Sequence, residues 1–173
     1  MTPLSARTLA QYNRWMNGRL YEFCSRLSDE KRKRDVGAFF KSIHGTLNHL
    51  LLGDRVWLGR FLGEPFAVTS LAQELYSDFA QLRTERSKTD AKIVDWAGTL
   101  TEANLAGELS YISVINPRPC RYPLWFAVGH FFNHQAHHRG QLTTLLSQCG
   151  VDPGITDLIW LPELQSEGGR TAV

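Results

Sequence analysis

Cysteine is scarce in this chain and poorly placed for chemistry. Cys24, Cys120 and Cys149 are odd in number and far apart, with no CxxC pair. That pattern argues against a disulfide framework or a thiolate zinc site and suits a reducing compartment. Excess charge is missing too. The 19 Lys and Arg against 17 Asp and Glu leave a net charge of +2, too little for a general electrostatic attraction to nucleic acid. The basic run Lys31-Arg32-Lys33-Arg34 follows Ser28-Asp29-Glu30 and reads as a solvated face rather than a phosphate-binding patch. No apolar stretch approaches the ~18 residues of a membrane span. Arg7, Gln11, Asn13 and Arg14 interrupt the region where a signal peptide would carry its apolar segment. A cytoplasmic location with neither membrane nor nucleic acid as partner is therefore expected. Repeats, low-complexity blocks and internal linkers are also lacking, so residues 1–173 read as a single domain with a substantial core.

What the chain has is helical periodicity. Leu9, Tyr12, Met16, Leu20, Phe23 and Leu27 repeat at three- and four-residue steps, predicting a helix from about Ser5 to Leu27, with Ser28-Asp29-Glu30 capping a short turn after it. A second stripe of Phe39, Ile43, Leu47, Leu50, Trp57 and Phe61 predicts a helix from about Ala38 to Leu62. His44 falls on the polar side of that helix and is expected at the surface. Asp54 falls on the apolar side, where an unpaired charge is costly, so an arginine partner is expected. A third helix is expected from about Leu71 to Leu100, its polar middle Arg83–Asp90 making a solvated face or a kink. Glu108–Val114 then alternates, Asn116-Pro117-Arg118-Pro119 marks a turn, and Cys120-Arg121-Tyr122 completes a small hairpin. The last long helix runs from Leu124 to about Cys149, with Gly150 as its stop. Leu158–Pro162 is expected to pack back on the bundle, and the final eight residues to be disordered. The fold class is all-α: a four-helix bundle with a small hairpin or irregular insert before the last long helix.

Four of the six histidines lie between His130 and His138. At ~100° per residue, His134 and His138 project into the apolar arc formed by Leu124, Ala127, Val128, Phe131, Leu142, Leu145 and Leu146, while His130 and His137 sit at its edge. A lone histidine on an apolar face is more often a hydrogen-bonded core residue than a ligand. Two at i and i+4, with another on a neighbouring helix, suit a metal ion, since neutral imidazole is the commonest protein ligand. His130 and His134 share the same spacing, but the inward angle favours His134 with His138, and His49 is placed to supply the third ligand. Gly53, one turn beyond His49, would leave room beside its imidazole. Three histidines plus an open position suit catalytic zinc, although nickel, cobalt, iron or copper would accept the same donors. Gln141, one turn beyond His138, is a candidate to hydrogen-bond a ligand or the groups around it. Surface or interface roles are expected for His137 and Arg139.

Three stretches together resemble the DinB/YfiT-like family of bacterial damage-inducible proteins. They are Tyr12–Asn17, Ser42–Leu50 with Asp54–Leu58, and above all Phe132-Asn133-His134-Gln135-Ala136-His137-His138-Arg139-Gly140-Gln141. The resemblance implies an antiparallel four-helix bundle, often a homodimer, with a divalent metal, zinc or nickel foremost, held by His49, His134 and His138. The wider superfamily includes mycothiol-dependent maleylpyruvate isomerases and bacillithiol transferases. It thus implies a metal-dependent S-transferase joining a low-molecular-weight thiol to a small electrophilic substrate. A hydrolase using metal-activated water and a non-catalytic metal-binding stress-response protein are the alternatives. No carboxylate accompanies the histidines as the Glu does in H-E-x-x-H, which favours thiol activation. Catalytic and cofactor-binding residues beyond the metal ligands are left unassigned.

Overall fold

The computed structural model describes residues 1–113 and 117–164. Four long helices make the bundle: α1 (Pro3–Ser25), α3 (Ile43–Leu62), α4 (Phe79–Thr99) and α6 (Leu124–Gln148). The described residues add short helices α2 (Asp29–Lys33) and α5 (Glu102–Leu105), a hairpin of β1 (Glu108–Ile112) and β2 (Pro119–Pro123), and a 3-10 turn at Leu158–Trp160. Local chemistry sets the helix ends. Thr2 and Ser5 exchange side-chain-to-backbone hydrogen bonds around Pro3, and Ser28, Ser42, Asp78 and Thr101 each cap a following helix with a side-chain oxygen. Gly63 and Gly150 take the left-handed conformation after α3 and α6. Among the described residues no helix is long and apolar enough to cross a membrane.

Helix α1 packs against α4 and α6, and α3 packs against the same two, so α1 and α3 are diagonal partners. The core divides into two apolar clusters. One gathers Met16 and Leu20 of α1, Leu47 and Leu51 of α3, Leu82 of α4, and Leu142 and Leu146 of α6. The other gathers Ala6 and Ala10, Leu58, Ile93 and Trp96, and Phe131 and Phe132. Along the chain α1 and α6 run from the second cluster to the first, whereas α3 and α4 run from the first to the second. The α1–α4 and α3–α6 pairs are therefore antiparallel, and α3 and α4 point the same way. Residues 63–78 must then return along a helix roughly 30 Å long. They do so as an irregular connection with turns, and the helix predicted from Leu71 begins only at Phe79.

Between the two clusters lies a polar layer to which every long helix contributes. Arg86 Nη1 donates to Asp54 Oδ2 at 2.6 Å, Gln135 Nε2 to Asp54 Oδ1 at 2.7 Å, and Asn17 Nδ2 to Asp90 Oδ1 at 2.9 Å. Arg86 Nη2 is 2.9 Å from Asp90 Oδ1, an ion pair whose angle makes a poor hydrogen bond. Asn13 donates to Asp90 and accepts from Arg139, which also lies 5.1 Å from the Tyr12 ring. The arginine partner expected for Asp54 is thus Arg86. The middle of α4 is not simply solvated, because Arg86, Thr89 and Asp90 are buried. Arg139, expected at a surface or interface, is buried too.

The hairpin pairs Leu109 with Tyr122 and Tyr111 with Cys120 and packs against α3 and α6. The turn expected at residues 116–119 falls partly outside the described residues. Of Leu158–Pro162, expected to pack back on the bundle, only Leu161 is buried; before it, Tyr12 donates to the Thr156 carbonyl and Arg19 to that of Ile155 at 2.6 Å. The expected terminal disorder lies outside the described residues. The three cysteines are free thiols. Arg32, expected in a solvated basic face, instead folds back onto the carbonyls of Cys24 and Leu27 and lies 4.2 Å from the Phe79 ring.

Candidate metal centre

Helix α3 presents His49 and helix α6 presents His134 and His138. Their ligating nitrogens lie within 4.8 Å of one another, the one such group of His, Cys, Asp or Glu among the described residues. His134 Nε2 is 3.3 Å from His49 Nε2 and 3.2 Å from His138 Nε2. The far nitrogens explain why these atoms converge. His49 Nδ1 faces the Leu71 carbonyl at 2.9 Å, and His138 Nδ1 faces Gln141 Oε1 at 2.7 Å. Each partner is an acceptor, so each Nδ1 carries the proton and each Nε2 turns a bare lone pair inward. A neutral His134 can donate at most one proton between two such lone pairs. The donor set is therefore one cation short of satisfaction, and a metal ion fits it.

Electrostatics points the same way. Burial above all, aided by the neighbouring imidazoles, lowers His134 to about 3 and, against the pull of the Leu71 carbonyl, His49 to about 4. Burial also lowers His138, against the pull of Gln141. Imidazoles kept neutral near pH 7 are in the protonation state that metals bind.

The supporting shell is built from residues that periodicity did not single out. Asn48 Oδ1 accepts from the backbone of Leu75 and Tyr76 at 2.9 and 3.0 Å, and its Nδ2 donates to the Tyr76 carbonyl at 3.1 Å. His44, expected at the surface, is only 1% exposed and bonds the same carbonyl through Nε2 at 2.9 Å. Together they hold the returning segment so that the Leu71 carbonyl meets His49. Phe40 stacks on His49 with ring centroids 3.7 Å apart and meets His138 edge-on at 5.6 Å. The helix expected from Ala38 begins only at Ile43. Lys41 takes φ 65°, and Phe39, assigned to the core stripe, is 84% exposed. Gly53 does make room, but for His134: a Cβ there would lie 3.0 Å from its Cε1.

Of the remaining candidates, His130 contacts Trp57 at 4.9 Å, and both it and His137 stay outside the cluster. Asp54, the one inward carboxylate on α3, is taken up by Arg86 and Gln135, and burial raises its pKa despite Arg86.

Fold and site together define a helical-bundle protein whose histidine cluster could hold a metal ion. The chain belongs to the DinB family, whose model matches residues 2–170. It is 24% identical over 165 residues to Protein DinB of Bacillus subtilis (strain 168), a match covering 86% of this chain and 88% of that protein. A crystal structure of a DinB-like protein from Bacillus cereus ATCC 10987 superposes with a TM-score of 0.60 at 20% identity, covering 81% of this chain and 90% of that one. At that identity the structural likeness concerns the fold alone.

Proposed function

We propose that His49, His134 and His138 hold one divalent ion, zinc or nickel, and that the protein is a metal-dependent S-transferase acting on a low-molecular-weight thiol and a small electrophile. The observation that carries this reading is a set of three convergent imidazoles with no fourth His, Cys, Asp or Glu in the cluster among the described residues. Structural zinc sites normally close with four protein ligands, whereas catalytic ones keep a position open. A bound divalent ion would supply Lewis acidity, lowering the pKa of a thiol so that more of it is nucleophilic thiolate at neutral pH.

The chain's own residues orient and shield that chemistry. Leu71 and Gln141 fix the tautomers of His49 and His138, and Phe40 covers the imidazole face of His49 against water. Hydrolysis would also need a general base within hydrogen-bond reach of the open position. The commitment of Asp54 to Arg86 and Gln135 leaves it poorly suited to that task.

The test is elemental analysis of protein purified without a metal-affinity tag, paired with thiol consumption measured against a panel of electrophiles. About one ion per chain and metal-dependent thiol loss, abolished in His138→Ala, are expected. Metal-loaded protein that consumes no thiol, with His138→Ala indistinguishable from it, contradicts the transferase reading.

A further inference from the structure

His49, Gly53 and Trp57 recur every four residues on α3, as do Phe126, His130, His134 and His138 on α6, a spacing that keeps each row on one helix face. The rows lead from the histidine cluster to a separate cavity of about 230 Å³ lined by Trp57, Tyr111, Tyr122, Phe126, Ala127 and His130. Packed rings link the two: His134 to His130 at 6.1 Å, His130 to Trp57 at 4.9 Å and Trp57 to Tyr111 at 5.6 Å between centroids. The hairpin closes the far side, with Tyr122 5.8 Å from Phe126.

Beside the cavity, Arg60 lays its guanidinium 4.5 Å from the Trp57 centroid and 4.0 Å from that of Tyr111. It is half-buried, and among the described residues its guanidinium has neither an ion pair nor a hydrogen bond. Arg86 and Arg55, by contrast, each hold a carboxylate at 2.6 Å. A partly desolvated guanidinium without a counterion favours an anion, with which it forms charge-assisted hydrogen bonds. Its positive charge against the Trp57 and Tyr111 rings also repels an ammonium ligand placed beside them.

We infer that this cavity binds the non-reacting part of the substrate: a planar one- or two-ring aromatic group among Trp57, Tyr111, Tyr122 and Phe126, bearing an anionic substituent paired with Arg60. The reacting end extends past His130 toward His134. Aromatic rings reward a planar aromatic guest through offset and edge contacts. The volume lies below the ~300 Å³ at which drug-sized pockets begin, which limits the guest to one or two rings. The placement of the reacting end rests on the metal-centre reading; binding in the cavity does not.

Isothermal titration calorimetry of the full chain after zinc addition tests this, with 2-naphthoate as probe and 2-naphthylmethylammonium and acetate as controls. Saturable 2-naphthoate binding is expected, with both controls at least tenfold weaker. Arg60→Gln is expected to weaken 2-naphthoate tenfold or more and Tyr122→Ala severalfold, neither changing zinc content by elemental analysis. Absence of saturable binding, equal affinity for the ammonium probe, or unchanged binding in Arg60→Gln each overturns the inference. Zinc content of the same samples separates the two claims. Zinc bound without naphthoate binding overturns the cavity assignment alone, while naphthoate binding by a chain that takes up no zinc supports the cavity and overturns the metal centre. Light scattering covers the remaining occupant: a dimer that dissociates in Phe126→Ala, with no naphthoate binding, assigns these rings to a subunit interface and overturns the inference.

Discussion

Two buried polar clusters lie side by side in this bundle and are built on opposite principles. The central layer sets the guanidiniums of Arg86 and Arg139 among the carboxylates of Asp54 and Asp90, with Asn13, Asn17 and Gln135 bridging them. Its charges answer one another within the chain. The histidine cluster instead turns three bases toward one point, with no countercharge among its members. One cluster opposes its charges as folded and ties the four long helices together. The other leaves three imidazoles facing one point, an arrangement that could hold a cation.

The largest expected effect tests the self-contained half of this comparison. Removing one partner of a buried ion pair leaves the other charge stranded and typically costs ~3–5 kcal/mol. Asp54→Ala should lose stability on that scale in urea denaturation of metal-free protein, while His134→Ala should lose far less. Equal losses would erase the distinction between the clusters. Second in size is the shell around the ligands. Replacing a group that orients a metal-bound histidine typically costs about 10- to 100-fold in metal affinity. Gln141→Leu should show that loss in competitive chelator titrations, with metal-free stability nearly unchanged.

Gly53→Ala should separate affinity from stability more finely. The new Cβ crowds His134 Cε1 at 3.0 Å, so metal affinity should fall severalfold. The same change favours helix by up to ~1 kcal/mol, so the metal-free protein should be as stable as wild type or more so. A loss of metal-free stability without a loss of affinity would refute this account of Gly53.

The smallest effect is a pH slope in the charged layer. Burial pushes the Asp90 carboxyl up to about 6 against the pull of Arg86. A folded-state value above the unfolded one gives stability that is complete below the unfolded value and is lost as pH rises through about 6. The stability of wild type relative to Asp90→Asn, both metal-free, should therefore decline as pH rises from about 4 to about 7. A difference that grows with pH would contradict the assignment.

How much of this was legible in the sequence follows from how local each feature is. Helical period and the i, i+4 spacing on α6 depend on neighbours in the chain, so the four long helices and the inward placement of His134 and His138 were readable. His44 was misplaced because its partner, the Tyr76 carbonyl, arrives from a segment 32 residues away. Arg86 and Asp90 look solvated on α4 alone, since their counterparts sit on other helices. Phe39 matches a helical stripe, yet Lys41 at φ 65° and the Ser42 cap end that stripe before Ile43. The parallel course of α3 and α4 is a property of the whole fold. With it came the irregular 63–78 connection that carries the Leu71 carbonyl to His49.

X-ray absorption of tag-free, metal-loaded protein tests most directly whether three imidazoles from two helices share one ion. About one ion per chain is predicted, with nitrogen ligands near 2.0–2.1 Å if zinc, three-histidine scattering in wild type, and loss of the bound ion in His49→Ala. A chain that binds no stoichiometric metal, or a spectrum unchanged by His49→Ala, would contradict the account.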